Sequence, residues 1–427
     1  MIHGAPLDPH GLSSSLEMQS RWIDQEYLFA ARELAHRSGC VIERDGLGVF
    51  TLGSALEIDL PGGVSKEPSV ISKVLEAIES RSQPGEHRPI TLAALPYDLE
   101  SHCSFTVAET TVVDRAGDAP FAIFIGTHDG LDEIVNRDLI TEMARQRALD
   151  KAGSPEHFSL DPAISHEQFR AKVASAIAAI SQLHLQKVVL AREVVIEADR
   201  PYLQHELLGR LRALHPSCLS FAIRGFIGAT PELLLRKSRS QSVSTPLAGT
   251  MARSGDPEED RRLALSLMSS SKERNEHQYV VEEIHENLRF FTDQVLVPGE
   301  PHILELRNVV HLATTITAAE IDPATSSLEV ACKLHPTPAI CGTPRAAAAR
   351  YIEDHEGLSR DLYAGLVGFT DASGDGEWWI GLRSAMIEGT TARILAGVGI
   401  VADSDPAAEF AETQLKLQAM LAVLVRP

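Results

Sequence analysis

The sequence predicts an α+β fold in which antiparallel sheets are combined with helices. The chain has 427 residues, of which 44% are hydrophobic, and this length allows a substantial buried core. Segments typical of strands and of helices follow one another without the strict alternation of a doubly wound parallel sheet. The glycine-rich run Asp371–Gly376 is typical of a hairpin turn between two strands, which favours antiparallel pairing.

The first 154 residues give weak patterns and contain no catalytic motif. Gly153-Ser154-Pro155 would break a helix, so we place a boundary there, between an N-terminal part (residues 1–154) and a catalytic region (residues 155–427). The elements predicted for the N-terminal part are helices at Gln25–Ser38 and Leu139–Ala152, strands within Gly46–Leu60 and at Phe121–Gly126, and loops at Gly62–Glu67 and Arg81–Arg88.

The catalytic region gives clearer patterns. The last helix is marked twice, because Asp405 is a good N-cap and Pro406 fits the first helical position. The other predicted elements are helices at Ser165–Leu183, Tyr202–Leu214 and Pro257–Phe291, and strands at Gln186–Ala198, Leu219–Ile227, Leu233–Lys237, Gly365–Phe369 and Glu377–Glu388.

Composition and charge exclude several classes of partner. The formal net charge is -20 and there is no basic block, so we expect neither nucleic acid nor an anionic membrane as a partner. No apolar run approaches the ~20 residues of a membrane span, and the start of the chain lacks a secretory pattern. The five cysteines include no CxxC pair, which fits free thiols in the cytoplasm. We expect a cytoplasmic protein and, since no heptad pattern is present, a monomer.

Carboxylates on two predicted helices are candidate metal ligands. Glu409, Glu412 and Lys416 fall at i, i+3 and i+7 on one helical face, where two carboxylates could hold a divalent cation and the lysine could meet an anion. Glu276, on the long helix, could be a third oxygen ligand. The alternative for each group is an ordinary solvated helix face.

Lys187 and Glu232 are candidates for general base and general acid. Lys187 begins an apolar strand, so its side chain either extends to the surface or is buried in a closed pocket, where an amine can lose its proton and act as a base. Glu232 lies between a Pro turn and an apolar strand, and partial burial would help it to keep its proton and act as an acid. A Glu that merely terminates a loop is the alternative.

Two loops complete the candidate site. Pro246–Thr250 predicts a tight turn whose backbone amides and hydroxyl could approach a carboxylate. His335–Gly342 contains two prolines around a threonine, which predicts a rigid and largely apolar loop wall.

Taken in order, these segments resemble the chorismate-utilising enzyme family, which includes anthranilate, aminodeoxychorismate, salicylate and isochorismate synthases. The resemblance runs from about residue 156 to the end of the chain. The segments that carry it are KVVLAR, GATPELLL, PLAGT, SKERNEH, HPTPAICG, RDLYAGLVG, LRSA and AGVGIV with the following SDP..E..ET…K.

Two positions indicate the branch of the family. Members that add ammonia typically carry Gln where this chain has Lys187, and aminodeoxychorismate synthases place a nucleophilic Lys where it has Ala248. The chain therefore resembles the water-adding branch, shared by isochorismate and salicylate synthases, and its His335–Gly342 loop is similar to that of isochorismate synthases. Met251 is a departure, since relatives commonly carry Arg there.

The resemblance implies two orthogonally packed sheets flanked by helices and a Mg²⁺-dependent isomerase that converts chorismate to isochorismate. Lys187 would activate water for attack at C2, and Glu232 would protonate the departing C4 hydroxyl. The resemblance also implies Mg²⁺ ligands at Glu276, Glu409 and Glu412, and substrate-binding residues at Gly249, Thr250, His311, Ala339, Tyr363, Arg383, Gly397, Gly399 and Lys416.

Three alternative functions remain open at this stage. A salicylate synthase would continue to pyruvate elimination at the same site. A binding protein of this fold would hold chorismate without turnover, although the intact Lys187 and Glu232 argue against it. An aminating enzyme would make anthranilate when ammonium is supplied. The family serves siderophore, menaquinone and salicylate biosynthesis, and the sequence leaves these three roles open.

Overall fold

Antiparallel sheets and helices together make up the structure, so the predicted α+β class is confirmed. The computed structural model describes residue 11 and residues 15–82, 87–149, 153–182 and 185–425. All strand pairs found within those residues are antiparallel. The same part of the chain contains no helix with the length and apolar character needed to cross a bilayer.

Eleven helices are described, and several of them begin at a side chain that caps the first turn. Asp24, Asp256 and Asp405 each accept a hydrogen bond from a backbone amide of the helix that follows. The helices are α1 (Gln25–Ser38), α2 (Val70–Glu79), α3 (Leu131–Val135), α4 (Leu139–Leu149), α5 (His166–Gln182), α6 (Gln204–Leu214), α7 (Pro257–Ser269), α8 (Ser271–Leu288), α9 (Ser327–Leu334), α10 (Arg345–His355) and α11 (Pro406–Leu424).

The described strands occur in both parts of the chain. Those of residues 1–154 are β1 (Leu16–Trp22), β2 (Cys40–Arg44), β3 (Leu47–Leu52), β4 (Leu56–Leu60), β5 (Ile90–Leu95), β6 (Cys103–Val107), β7 (Thr110–Arg115) and β8 (Phe121–Thr127). Those that follow are β9 (Phe158–Pro162), β10 (Lys187–Ala198), β11 (Leu219–Ile223), β12 (Phe226–Thr230), β13 (Leu233–Ser238), β14 (Gln241–Thr245), β15 (Leu247–Ala252), β16 (Val295–Leu296), β17 (His302–Glu305), β18 (Val309–Ala313), β19 (Ile316–Ala318), β20 (Gly342–Thr343), β21 (Leu366–Asp371), β22 (Gly376–Ile380), β23 (Ser384–Glu388) and β24 (Thr391–Ile400).

These strands form two large sheets and one small sheet. The twelve-stranded sheet has the order β1-β8-β7-β3-β2-β11-β12-β23-β24-β10-β20, with β9 also paired to β10. The nine-stranded sheet has the order β16-β19-β14-β13-β22-β21-β5-β6-β4, and the three-stranded sheet has the order β15-β18-β17. The small third sheet was not predicted from the sequence.

The chain passes between the sheets through short links. Pro231 and Glu232 join β12 of the twelve-stranded sheet to β13 of the nine-stranded sheet, and residues 381–383 lead back from β22 to β23. The two links lie side by side, since the backbone amide of Ile380 donates to the carbonyl oxygen of Glu232 at 3.1 Å. Arg383 has a φ of 48°, an unusual value for a non-glycine residue, where the chain turns between sheets.

Four element predictions need correction. The strand predicted at Leu219–Ile227 is a hairpin, β11–β12, because Arg224 and Gly225 take positive φ values that turn the chain. The strand predicted at Glu377–Glu388 is divided between two sheets, as β22 and β23. Apolar residues lie on both sides of each break, and the prediction did not recognise Arg224-Gly225 and Gly381 as breaks between strands.

The other two corrections concern the long helix and the PLAGT segment. The helix predicted at Pro257–Phe291 is two helices, because Ser270 has an extended backbone (ψ 115°) and its side chain caps α8. The turn predicted at Pro246–Thr250 is the start of β15, which pairs with β18 and has an irregular register between Ala248 and Thr250. Gly249, with φ 75°, supplies that β-bulge.

A continuous core connects the two parts of the chain. One buried apolar cluster includes Ile42 and Phe105 from the first 154 residues and Phe221 and Trp378 from the rest. Strands from both parts also share the two large sheets. The boundary at residue 154 stays a prediction. Residues 150–152 of the predicted helix, 83–86 of the predicted loop and 183 at the end of the next helix lie outside the described residues.

Candidate active site

One cavity brings together most of the residues that the sequence singled out. It lies at the meeting point of strands β10 and β24, the two links between the large sheets, and the N-terminal ends of helices α8 and α11. The predicted residues that line it are Lys187, Glu232, Gly249, Thr250, Glu276, His311, Ala339, Arg383, Gly399, Glu409, Glu412 and Lys416.

Tyr363 and Gly397 are set back from the cavity. Gly397 lies in β24, and a Cβ built on it would be 3.3 Å from the Tyr363 hydroxyl oxygen. The carbonyl oxygen of Gly397 accepts a hydrogen bond from Lys416 Nζ at 3.0 Å. Gly397 therefore holds the Lys416 ammonium group through its carbonyl oxygen.

Sequence reasoning missed two charged residues that line the cavity, Lys272 and Glu273. Both lie in the first turn of α8, and Glu273 is three residues before Glu276, the spacing that places two side chains on one helical face. That i, i+3 spacing was visible in the sequence. Because one continuous helix was predicted through Ser270, the position of these residues at the start of a helix was not recognised. Pro231, Leu247, Ala248 and Leu382 complete the lining.

Lysines neutralise three of the carboxylates around the cavity. Lys187 Nζ is 2.7 Å from Glu276 Oε1, and Lys416 Nζ is 2.6 Å from Glu412 Oε1. The third pair is looser, with 3.7 Å between Lys272 Nζ and Glu409 Oε1. Lys187 is 0% exposed, so its side chain does not extend to the surface. Although burial opposes it, the charge of Lys187 holds the pKa of Glu276 below its ordinary value.

Glu232 is placed to keep a proton. It is 3% exposed, and its Oε1 has no hydrogen-bond partner among the described residues. Burial raises the pKa of Glu232 to about 8, against the opposing charges of Lys187, Arg383 and Lys416. A carboxyl group in this state is neutral near pH 7 and can donate a proton to a bound molecule.

His311 is held as a neutral ring with a defined tautomer. Burial, together with the charges of Arg383 and Lys416, lowers the pKa of His311 to about 3. Its Nδ1 lies 3.2 Å from the carbonyl oxygen of Gly249 and 3.1 Å from the hydroxyl oxygen of Thr250. Because a carbonyl oxygen only accepts, we infer that Nδ1 carries the proton. The other ring nitrogen is then a hydrogen-bond acceptor.

The carboxylates at the two helix starts have the donor chemistry of a hard-cation site. Burial and the charge of Glu276 raise the pKa of Glu273, and burial with the charges of Glu412 and Glu276 raises the pKa of Glu409 to about 7. A divalent cation would relieve this mutual repulsion. Among the described residues, no group of three or more His, Cys, Asp or Glu is arranged to hold a metal ion. Mg²⁺ needs only one or two carboxylates beside waters and substrate, so the residues fit that ion.

Comparison with known proteins identifies the family. The profile described as "Chorismate binding enzyme" matches residues 101–425. The chain is 32% identical over 370 residues to the isochorismate synthase DhbC of Bacillus subtilis, covering 84% of this chain and 86% of that protein.

The chain belongs to the chorismate binding enzyme family.

Further members of the chorismate binding enzyme family are similar over shorter or longer ranges. A salicylate biosynthesis isochorismate synthase of Pseudomonas aeruginosa is 40% identical over 284 residues, covering 65% of this chain and 59% of that protein. A crystal structure of a proposed 2,3-dihydroxybenzoate-specific isochorismate synthase from Bacillus anthracis is 29% identical, with a TM-score of 0.79. It covers 93% of this chain and 99% of that one.

The packing of Gly399 against the Lys187–Glu276 pair gives a test of this geometry. A Cβ on Gly399 would lie 2.6 Å from Glu276 Oε1 and 2.7 Å from Lys187 Cε. Because both side chains must move away, Gly399→Ala should lower the free energy of unfolding by about 1–3 kcal/mol, measured by urea denaturation. Gly209→Ala, in helix α6, is the control, since nothing lies within 4 Å of the added methyl group. That control should gain about 0.5–1 kcal/mol. Equal stability of Gly399→Ala and the wild type would mean that the pair is not held against β24.

Proposed function

We propose that this protein is an isochorismate synthase, an isomerase that converts chorismate to isochorismate by adding water at C2 and removing the C4 hydroxyl group. The main support is the presence of a buried amine, Lys187, and a buried protonated carboxyl, Glu232, in the wall of one cavity. Ala248 lines the same cavity where an aminating relative would carry a lysine nucleophile. The names of the relatives in Bacillus and Pseudomonas point to the same activity.

The two groups divide the proton transfers of the reaction. Lys187 must first lose its own proton, and as the neutral amine it then accepts a proton from water as the water oxygen bonds to C2 of the ring. The double bonds shift, the C4–O bond breaks, and Glu232 gives its proton to the departing hydroxyl group, which leaves as water. Lys187 then releases its extra proton to solvent and Glu232 takes one up from solvent. One water is added and one is lost, so the reaction is a net isomerisation. General acid and base catalysis of this kind contributes about 10²–10⁴-fold each.

Cationic and polar groups would bind the two carboxylates of the substrate. Arg383 and Lys416 line the cavity, and an arginine can bind a carboxylate through two parallel hydrogen bonds. We assign Arg383 to the enolpyruvyl carboxylate and Lys416, Gly249, Thr250 and Gly399 to the remaining wall, with Tyr363 and Gly397 placed behind that wall. The neutral His311 can accept a hydrogen bond from a substrate hydroxyl group. Local cations thus let an acidic protein bind a dianion.

Glu276 and Glu412 would hold Mg²⁺, with Glu409 helping directly or through a bound water, and Glu273 lines the same cavity. Bound there, Mg²⁺ would neutralise the ring carboxylate of the substrate. Glu276 also contacts Lys187, so the amine and the cation would compete for one carboxylate.

We propose in addition that the enzyme is a cytoplasmic monomer.

The decisive experiment is product analysis. Chorismate and Mg²⁺ are incubated with the protein, and products are separated by chromatography. We expect isochorismate with little salicylate. Lys187→Gln should abolish product formation, because an amide cannot accept the proton from water. Lys237→Gln is the matched control: Lys237 is also fully buried, pairs with Asp375 at 3.3 Å, and lies outside the cavity.

Each other product would overturn a specific part of the proposal. Stoichiometric salicylate and pyruvate would make the protein a salicylate synthase, and anthranilate in the presence of ammonium would make it an aminating enzyme. Chorismate binding without any product would indicate a binding protein. Isochorismate formation by the Lys187→Gln variant would remove Lys187 as the base.

The high pKa of Glu232 predicts the alkaline limit of activity. As a general acid, Glu232 must be protonated, and its pKa of about 8 means that the protonated fraction falls as the pH rises through that value. The kcat/KM value should therefore decline above about pH 8, and Glu232→Gln should lose about 10²-fold or more at every pH. Circular dichroism over the same range separates this loss from unfolding. A kcat/KM that stays constant to pH 10 would exclude Glu232 as the acid.

Metal dependence can be tested separately. EDTA should stop turnover reversibly, and Mg²⁺ should restore it better than Ca²⁺, which requires more oxygen ligands. Glu276→Gln should raise the Mg²⁺ concentration needed for half-maximal activity at least tenfold. Glu286→Gln, an exposed position on the same helix, should leave that concentration unchanged. Full activity in EDTA would remove the assignment of these carboxylates.

A further inference from the structure

The outer edge of β10, just beyond Lys187, has no continuous strand neighbour. β20 pairs only with Lys187 and Val188, and β9 begins to pair at Val194. The backbone groups between these two points face a gap in the sheet. Unpaired backbone groups are costly to bury, so another part of the protein must satisfy them.

Glu356 and Arg360 fill this gap with their side chains. The amide of Ala191 donates to Glu356 Oε1 at 2.6 Å, and Arg360 Nη2 donates to the carbonyl oxygen of Val189 at 2.8 Å. The two side chains are joined by two hydrogen bonds of 2.7 Å each, from Nε to Oε2 and from Nη2 to Oε1. Together they take the place of a short strand along the edge of β10.

The same arginine also reaches the loop before β20, which contributes Ala339 to the cavity wall. Arg360 Nη1 donates to the carbonyl oxygen of Ile340 at 2.7 Å, next to the cavity-lining Ala339. In addition, the amide of Val189 donates to the carbonyl oxygen of Cys341 at 2.8 Å. One guanidinium group therefore links the strand that carries Lys187 to the loop that carries Ala339.

Burial makes this link rigid. The side chains of Arg360 and Glu356 are 3% and 2% exposed, so water cannot replace any of these hydrogen bonds. A lysine at position 360 would keep the charge but could not present donors to Val189, Ile340 and Glu356 in one plane. The planar fork of arginine is thus specifically required by the three directions in which the acceptors lie.

We propose that Glu356 and Arg360 are positioning residues for the reaction, which fix the strand of Lys187 relative to the neighbouring loop that carries Ala339. This inference rests on the proposed function. Misplacement of reacting groups by about 1 Å can lower the rate about 10²-fold. The pair should therefore influence kcat, although neither residue lines the cavity.

Arg360→Lys tests the proposal against a matched control. Arg236→Lys alters another arginine–glutamate pair, 2.7 Å from Arg236 Nε to Glu377 Oε1, that lies outside the cavity; its arginine is more exposed than Arg360. For Arg360→Lys we expect kcat to fall about 10- to 100-fold with KM changed less than about threefold, and an unchanged circular dichroism spectrum. Arg236→Lys should lower the melting temperature but leave kcat unchanged. Glu356→Gln, which keeps an acceptor for Ala191, should also lower kcat and provides a second test if Arg360→Lys does not fold.

The outcomes separate this inference from the proposed function. A kcat within twofold of the wild type in the folded Arg360→Lys or Glu356→Gln variants would overturn the positioning role. An equal loss of kcat in Arg236→Lys would overturn it as well, because general destabilisation would then explain the effect. If the wild-type protein forms no isochorismate, the proposed function itself fails, and this inference fails with it.

Discussion

The buried contact between Lys187 and Glu276 is the interaction on which the site depends. An amine without exposed surface needs a partner of opposite charge, and Glu276 lies 2.7 Å away. This requirement brings the first turns of α8 against β10 and leaves room only for glycine at position 399 of β24. The other lysines, Lys272 and Lys416, repeat the arrangement with carboxylates of α11. The protein has a net charge of -20, but in the cavity each of these three lysines pairs with a carboxylate, so their charges are balanced locally.

The functional groups lie where elements begin or where the chain changes sheets. Glu232 and Arg383 occupy the two links between the large sheets, and Gly249 lies at a β-bulge. Such places expose side chains and backbone groups that the interior of a strand would bury against its neighbours. The first two turns of α8 and α11 supply the carboxylates, and at Glu273 and Glu409, in the first turns, the helix dipole stabilises negative charge. The regular parts of the sheets provide the rigid frame between these positions.

Different environments give similar residues different roles. Glu232 and Glu276 are both carboxyl groups in the same cavity, but the pKa of the first is raised by burial and that of the second is lowered by Lys187. The lysine contacts Glu276 and not the Oε1 atom of Glu232, which has no partner among the described residues. One carboxyl group is thus suited to proton donation and the other to pairing with cations.

The sequence by itself determined the α+β class, the strand from Lys187 and the helix at Pro406, because apolar periodicity and capping residues act over a few neighbouring positions. Through its resemblance to the family it also named twelve of the residues that line the cavity, but neither Lys272 nor Glu273. Only the tertiary structure decided that residues 377–388 are shared between two sheets and that Arg360 reaches both Val189 and Ile340. These features depend on contacts between distant segments, and local sequence patterns carry no record of which distant segment will lie alongside.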